Sequence, residues 1–337
     1  MVRVGLIGAG RIGRVHANNL AYRIPAAELV AIADVNPAAA RALADTCRVP
    51  RAVADYGVLL DDPEIDAIVI CSSTNTHAQI IEEAAAAGKQ IFCEKPIDLS
   101  LARTDEALAA VERAGVKLQI GFNRRFDANY RRVRQAVESG EIGTPHLVHI
   151  ISRDPAPPPM EYVRVSGGMF VDMTIHDFDM ARYLVGEEVE EVYTAAAVLV
   201  DPAIGEAGDV DTALITLRFA GGAMACIDNS RRAVYGYDQR AEVLGSRGAV
   251  QTGNQYANAA IISTGESIRR DLPLNFFMDR YVESFVAEMT AFIEAVRDDT
   301  PTPVTGYDGR MALILALAAR KSHREGRPVR MSEIAGN

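Results

Sequence analysis

Asp172 and His176 stand one helical turn apart inside a largely apolar run, GGMFVDMTIHDFDMARYL. A carboxylate at that spacing can orient the imidazole and raise its basicity, which makes an acid–base pair. Left alone in such surroundings either group would cost kcal/mol, so each needs a partner or a task. Lys95, fixed before Pro96 in CEKP, is a second candidate proton carrier. Free lysine titrates near ~10.4, and partial burial beside other cations lowers that towards a useful value. Plainer readings stand beside both. Asp172 can be the cap of a helix running from about Thr174 to Leu184, with His176 a satisfied core histidine. Lys95 can be a solvated residue at a strand end. A metal held by His176, Asp172 and Asp179 would have one nitrogen ligand and no cysteine near it, so no metal is expected.

A third group of residues is suited to holding an anion. GAGRIG, with Gly8, Gly10, Arg11, Ile12 and Gly13, follows an apolar strand and opens a helix. Gly8 suits a tight turn, Gly10 a close approach of a pyrophosphate to the backbone, and Gly13 close packing of helix on strand. Free N–H groups and the dipole at the helix N-terminus favour the phosphates. Asp34, at the end of the second strand, can accept both ribose hydroxyls, and its charge would repel a 2′-phosphate. The expected cofactor is therefore NAD rather than NADP. The alternative for Asp34 is a turn residue in DVNP.

These residues need elements to carry them. VRVGLIGAG, ELVAIADVN, DAIVICSS, QIFCEKP and KLQIGFN read as buried strands, separated by helical stretches that include THAQIIEEAAAAG and LSLARTDEALAAVERAG. Strands alternating with helices of that length imply βαβ units and a doubly wound parallel sheet, of the Rossmann type, over residues 1–121. Ligands of such sheets bind at the carboxyl ends of the strands. Three of those ends are polar: Ser72-Ser73-Thr74-Asn75-Thr76-His77, Glu94-Lys95 and Asn123-Arg124-Arg125. After residue 121 the texture changes. Residues 146–153, 188–200, 210–219, 223–231, 239–246 and 259–263 read as strands without crossover helices. A second α+β domain, 122–337, with a mostly antiparallel open sheet is expected, with late helices in FMDRYVESFVAEMTAFIEAVRDD and GRMALILALAARKSH.

The totals exclude several classes. At 337 residues the chain exceeds the roughly 250–300 at which one core stops growing, so two domains are expected. A net charge of −10 argues against nucleic acid and against an anionic membrane surface. The five arginines of NRRFDANYRRVRQAVESG lie mostly on the solvated face of a helix whose apolar stripe is Phe126, Tyr130, Val133 and Val137. Four cysteines without CxxC spacing, no cleavable leader and no run long enough to span a bilayer point to the cytoplasm. PAPPP at 155–159 reads as a stiff surface loop, with an active-site lid as the lesser reading.

GAGRIGRVH, CEKP and GGMFVDMTIHDFDMARYL, in that order, resemble the glucose–fructose oxidoreductase / inositol dehydrogenase / rhizopine-catabolism (Gfo/Idh/MocA) oxidoreductase family over essentially the whole chain. Within it the chain most resembles the inositol 2-dehydrogenases, through SRDPAPPP, DPAIGEAGDVDTALITLRF and YGYDQRAEVLGSRG. The resemblance implies NAD-dependent oxidation of a cyclitol hydroxyl, with Lys95, Asp172 and His176 as the catalytic triad. It implies cofactor contacts from Ser72, Ser73, Thr74, Asn75, His77, Glu94 and Lys95, and substrate contacts from Arg153, Asp154 and Tyr235, with Arg125 a further one. It also implies a homotetramer built by pairing open sheets. Some relatives carry His and Asn where Ser152 and Asp154 stand, which leaves the stereoisomer open. An aldose dehydrogenase on the same frame and a silent NAD-sensing regulator are the rival functions.

Overall fold

A computed structural model describes residues 1–335. The chain forms two compact units. The first comprises Met1–Phe126 together with Glu283–Leu313, and the second comprises Asp127–Val282 and the chain from Ile314 onward. A single boundary after residue 121 is therefore too simple, because a late helical stretch returns to the first unit.

The first unit is built on a six-stranded parallel sheet of β1 (Val2–Ile7), β2 (Ala27–Ala33), β3 (Arg51–Val53), β4 (Ala67–Ile70), β5 (Gln90–Glu94) and β6 (Leu118–Gly121). Its order is β3-β2-β1-β4-β5-β6, so the winding reverses between β1 and β4. That reversal opens a crevice beside the carboxyl end of β1, the usual ligand position of such sheets. Strands β4 and β6 are buried along their whole length, as continuous apolar runs covered on both faces must be. The return of Glu283–Leu313 supplies part of that cover. Met289, Phe292 and Ile293 join one core cluster with Leu6, Ile32 and Phe92.

In the second unit, β7 (Pro145–Arg153), β8 (Val189–Ala197), β9 (Thr212–Phe219), β10 (Met224–Ser230), β11 (Asp238–Gly245), β12 (Gly248–Thr252) and β15 (Val329–Arg330) make one sheet. Its order is β12-β11-β7-β10-β9-β8-β15. All its pairs are antiparallel except β7 with β10. A separate ribbon pairs β13 (Ile261–Ser263) with β14 (Ile268–Arg270). Side chains alternate across the sheet. Val148, Ile150 and Ser152 of β7 and Ala225, Ile227 and Asn229 of β10 are buried on one face. On the other face Tyr193, Leu214, Met224 and Leu244 are exposed.

The helix Ala128–Glu138 buries Tyr130, Val133 and Val137, as the stripe predicts, while Phe126 precedes it in a 3-10 turn. Asp127 caps it, accepting from the N–H groups of Asn129 and Tyr130. The late helical block is broken at Tyr281 into Phe277–Arg280 and Val282–Arg297. No helix among the described residues is long and apolar enough to cross a membrane.

Candidate active site

The glycine loop joins β1 to the helix Arg11–Tyr22. Gly8 has φ +105°, in the left-handed region, and a Cβ there would lie 2.5 Å from the Cys71 carbonyl carbon. A Cβ on Gly13 would lie 1.9 Å from the Gly8 oxygen, so only hydrogen fits between helix and loop. Gly10 is different. Its Cβ position has nothing within 4 Å, which leaves open space at the helix N-terminus where a pyrophosphate needs it. Arg11 is exposed and Ile12 half-buried. Asp34 stands just past β2, one oxygen accepting from Ala9 N at 2.7 Å and the other from Asn36 N at 2.8 Å. It shapes both the loop and the turn, and its lone pairs exceed those two donors, so acceptor capacity for ribose hydroxyls remains. The residues present fit a dinucleotide.

The neighbouring strand ends are tied together by side chains. Ser72 and Thr76 share a hydroxyl hydrogen bond of 2.7 Å, and Ser73 and Asn75 are exposed in and before the 3-10 turn Thr74–Thr76. The ring of His77 is buried. Nδ1 lies 2.8 Å from the Pro96 carbonyl and Nε2 3.0 Å from the Ser72 carbonyl, so the side chain clamps the end of β4 to the end of β5. Burial holds its pKa below the ordinary 6.5, against the pull of those two carbonyls. Glu94 is also inside, 2.7 Å from His16 Nε2, and packs over Gly121. Its side chain is therefore engaged within the sheet end. Lys95, the next residue, is half-buried at the carboxyl end of β5. Arg125 pairs with Asp308 at 2.9 Å.

In the second unit Asp172 closes the one-turn helix Met169–Asp172, and His176 sits in the first turn of the separate helix Ile175–Val185. Asp172 is thus not the cap of the longer helix, whose N-cap Thr174 makes no side-chain cap bond. Its carboxylate has other partners. Oδ1 accepts from the Tyr162 hydroxyl at 2.7 Å, and Oδ2 accepts from Arg231 Nη2 at 3.0 Å. Arg231 Nη1 also lies 3.5 Å from Asp154. Beneath this group, Asn229 donates to Asp177 at 2.9 Å and to the Ser152 carbonyl at 3.2 Å, and accepts from Thr174 at 2.6 Å. That network ties the start of the His176 helix to β7 and β10.

Arg153 and Tyr235 lie on the other side of the second sheet. Arg153 precedes Asp154 in sequence, but strand alternation turns it to the open face of the sheet. There Arg153 Nε donates to Asp228 at 3.0 Å and Nη1 donates to the Tyr235 hydroxyl at 3.0 Å. Tyr235 in turn donates to the buried Asp238 at 2.6 Å. Burial and the Asp238 acceptor push the Tyr235 phenol up. These two form an ion-pair and phenol network on the opposite face from Asn229. Sequence reading missed Tyr162, Asn229 and Arg231. The signal was available for two of them, because Asn229 and Arg231 continue the inward register of Ala225 and Ile227, where a polar residue needs a partner.

The glycine loop, the acid after β2 and the open space over Gly10 are the fittings of an NAD-binding Rossmann oxidoreductase. Residues 2–122 match the family described as an oxidoreductase family with an NAD-binding Rossmann fold, and residues 130–251 match the GFO/IDH/MocA C-terminal domain. The chain belongs to the Gfo/Idh/MocA oxidoreductase family. It is 50% identical over 335 residues to a myo-inositol 2-dehydrogenase of Thermotoga maritima, covering 99% of this chain and 100% of that one. An inositol 2-dehydrogenase of Rhizobium meliloti is 50% identical over 330 residues, covering 97% and 98%. A scyllo-inositol dehydrogenase of Lactobacillus casei, solved with NAD(H) and scyllo-inositol, superposes with a TM-score of 0.92 at 30% identity, covering 98% and 99%.

Proposed function

We propose that this protein oxidises a secondary hydroxyl of a cyclitol to the ketone, as an inositol 2-dehydrogenase of the myo-inositol to scyllo-inosose type. The observation that carries the substrate class is the 50% identity, over nearly the whole of both chains, to a myo-inositol 2-dehydrogenase. Bound NAD supplies the acceptor for the hydride that leaves the carbinol carbon. His176 takes the hydroxyl proton, which falls within the ordinary work of an imidazole near neutral pH. Lys95 stabilises the alkoxide as negative charge develops on it. Asp172 orients the imidazole. Asp154 and Arg125 bind other hydroxyls of the ring, which offers donors and acceptors on every carbon. Arg153 and Tyr235 act at one remove, by holding the end of β7 against β11. We further propose a homotetramer in which the exposed face around Tyr193, Leu214, Met224 and Leu244 is covered by another copy. Elution as a monomer in sizing would overturn that assembly.

The test is nicotinamide absorbance on mixing the protein with NAD and a panel of inositols and hexoses at mildly alkaline pH. Reduction with myo-inositol is the expected result. Faster reduction with an aldose would transfer the protein to the sugar dehydrogenases. NAD binding with no reduction by any polyol would indicate a sensor instead.

A further inference from the structure

We infer that Arg231 is a positioning residue of the reaction: its guanidinium keeps Asp172 ionised and correctly aimed, and sets Asp154 at a fixed separation from it. The inference rests on the proposed catalytic role of Asp172.

Arg231 is only 3% exposed. A buried guanidinium is costly unless it is paired and hydrogen-bonded. This one spans two carboxylates from different elements, Asp172 on the short helix before His176 and Asp154 just beyond β7. Tyr162 donates to the other oxygen of Asp172 and so fixes the plane of that carboxylate. Arg231 and the phenol of Tyr162 face Asp172, Asp154 faces the same guanidinium, His176 stands one turn on in sequence, and Asp209 adds a further negative charge towards Arg231. Burial opposes the charge of Arg231, but Asp172 and Asp154 outweigh it and its pKa rises. The cation is therefore permanent. Without it, two carboxylates would face each other in a partly buried space, and one would take up a proton. A protonated Asp172 would no longer hold the imidazole as a base.

The experiment uses the full chain and measures kcat, KM and their pH dependence with NAD and the best cyclitol, alongside NAD affinity by fluorescence. Arg231→Gln is expected to lower kcat ~100-fold, the scale of a misplaced catalytic group, with NAD affinity within about two-fold. The acid limb of its kcat profile should move up by about one pH unit, since an adjacent cation lowers a carboxylate pKa by that order. Arg231→Lys should recover part of kcat and part of the limb. Asp154→Asn, which leaves the guanidinium to Asp172 alone, should move the limb the other way. If Arg231→Gln does not fold, the lysine and Asp154 variants decide on the same limb. An unmoved acid limb in these variants overturns the inference, as does a change in KM alone. Asp172→Asn separates the two levels. Wild-type turnover in that variant sinks the catalytic role of Asp172 itself, whereas a dead Asp172→Asn beside an unmoved limb sinks only the role of Arg231.

Discussion

The cofactor end of the first sheet and the Asp172 group of the second unit are positioned by different means. At the first, backbone does the work: Gly8 turns, Gly13 admits the helix, and the N–H groups of the helix end present themselves to an anion. At the second, side chains from two separate stretches do it, Tyr162 and Arg231 gripping Asp172 while Asn229 fixes the helix of His176. A backbone site fails through sterics and a side-chain site through charge. The two should therefore break in different assays.

The largest effect should come at the catalytic groups. Lys95→Ala is expected to cut turnover ~10³-fold, the scale of losing a preorganised stabilising charge, with NAD affinity nearly unchanged; surviving activity would remove Lys95 from the mechanism. Next comes a contrast inside the glycine loop. Gly13→Ala forces a methyl to 1.9 Å from the Gly8 oxygen, so it should cost about 3 kcal/mol in denaturant unfolding and abolish NAD binding. Gly10→Ala meets no protein atom within 4 Å and should leave stability unchanged while weakening NAD alone. Equal losses of stability in both would show that the close contact at Gly13 does not set the stability of the loop.

A smaller effect tests the division between the faces of the second sheet. Arg153→Ala removes a half-exposed pair with Asp228 and should cost about 1 kcal/mol of stability, with KM changed less than about three-fold. A large rise in KM would return Arg153 to the substrate. The mildest concerns pH. His77 is buried with its pKa below 6.5, so the unfolded chain binds the proton more readily than the folded one. Its contribution is intact above about 6.5 and is lost as pH falls below that value towards the folded pKa. His77→Gln should flatten the fall in Tm between neutral and mildly acid pH, and an unchanged slope would mean that another group titrates there.

The sequence made one of these regions far easier to read than the other. The loop, its strand and its helix are contiguous, so spacing alone carries GAGRIG to its place, and Gly115 at φ +67° ends the helix Leu101–Ala114 where the sequence puts a stop. Strands of two to five residues such as β3, β12, β14 and β15 carry too few alternations to be distinguished from loops. The return of Glu283–Leu313 to the first unit depends on which sheet needs covering, and no local pattern encodes that. Asp172 was legible as a candidate but not its partners, because Tyr162 and Arg231 lie 10 and 59 residues away. The face that Arg153 takes is set by the register of β7, which an isolated RD dipeptide does not reveal.

The most direct test of the account is transfer of label from myo-inositol carrying deuterium on the C2 carbon. Oxidation at that carbon predicts reduced cofactor bearing the deuterium, a slowed chemical step and a 2-keto product. Turnover that yields unlabelled NADH would contradict it, placing the oxidised carbon elsewhere on the ring.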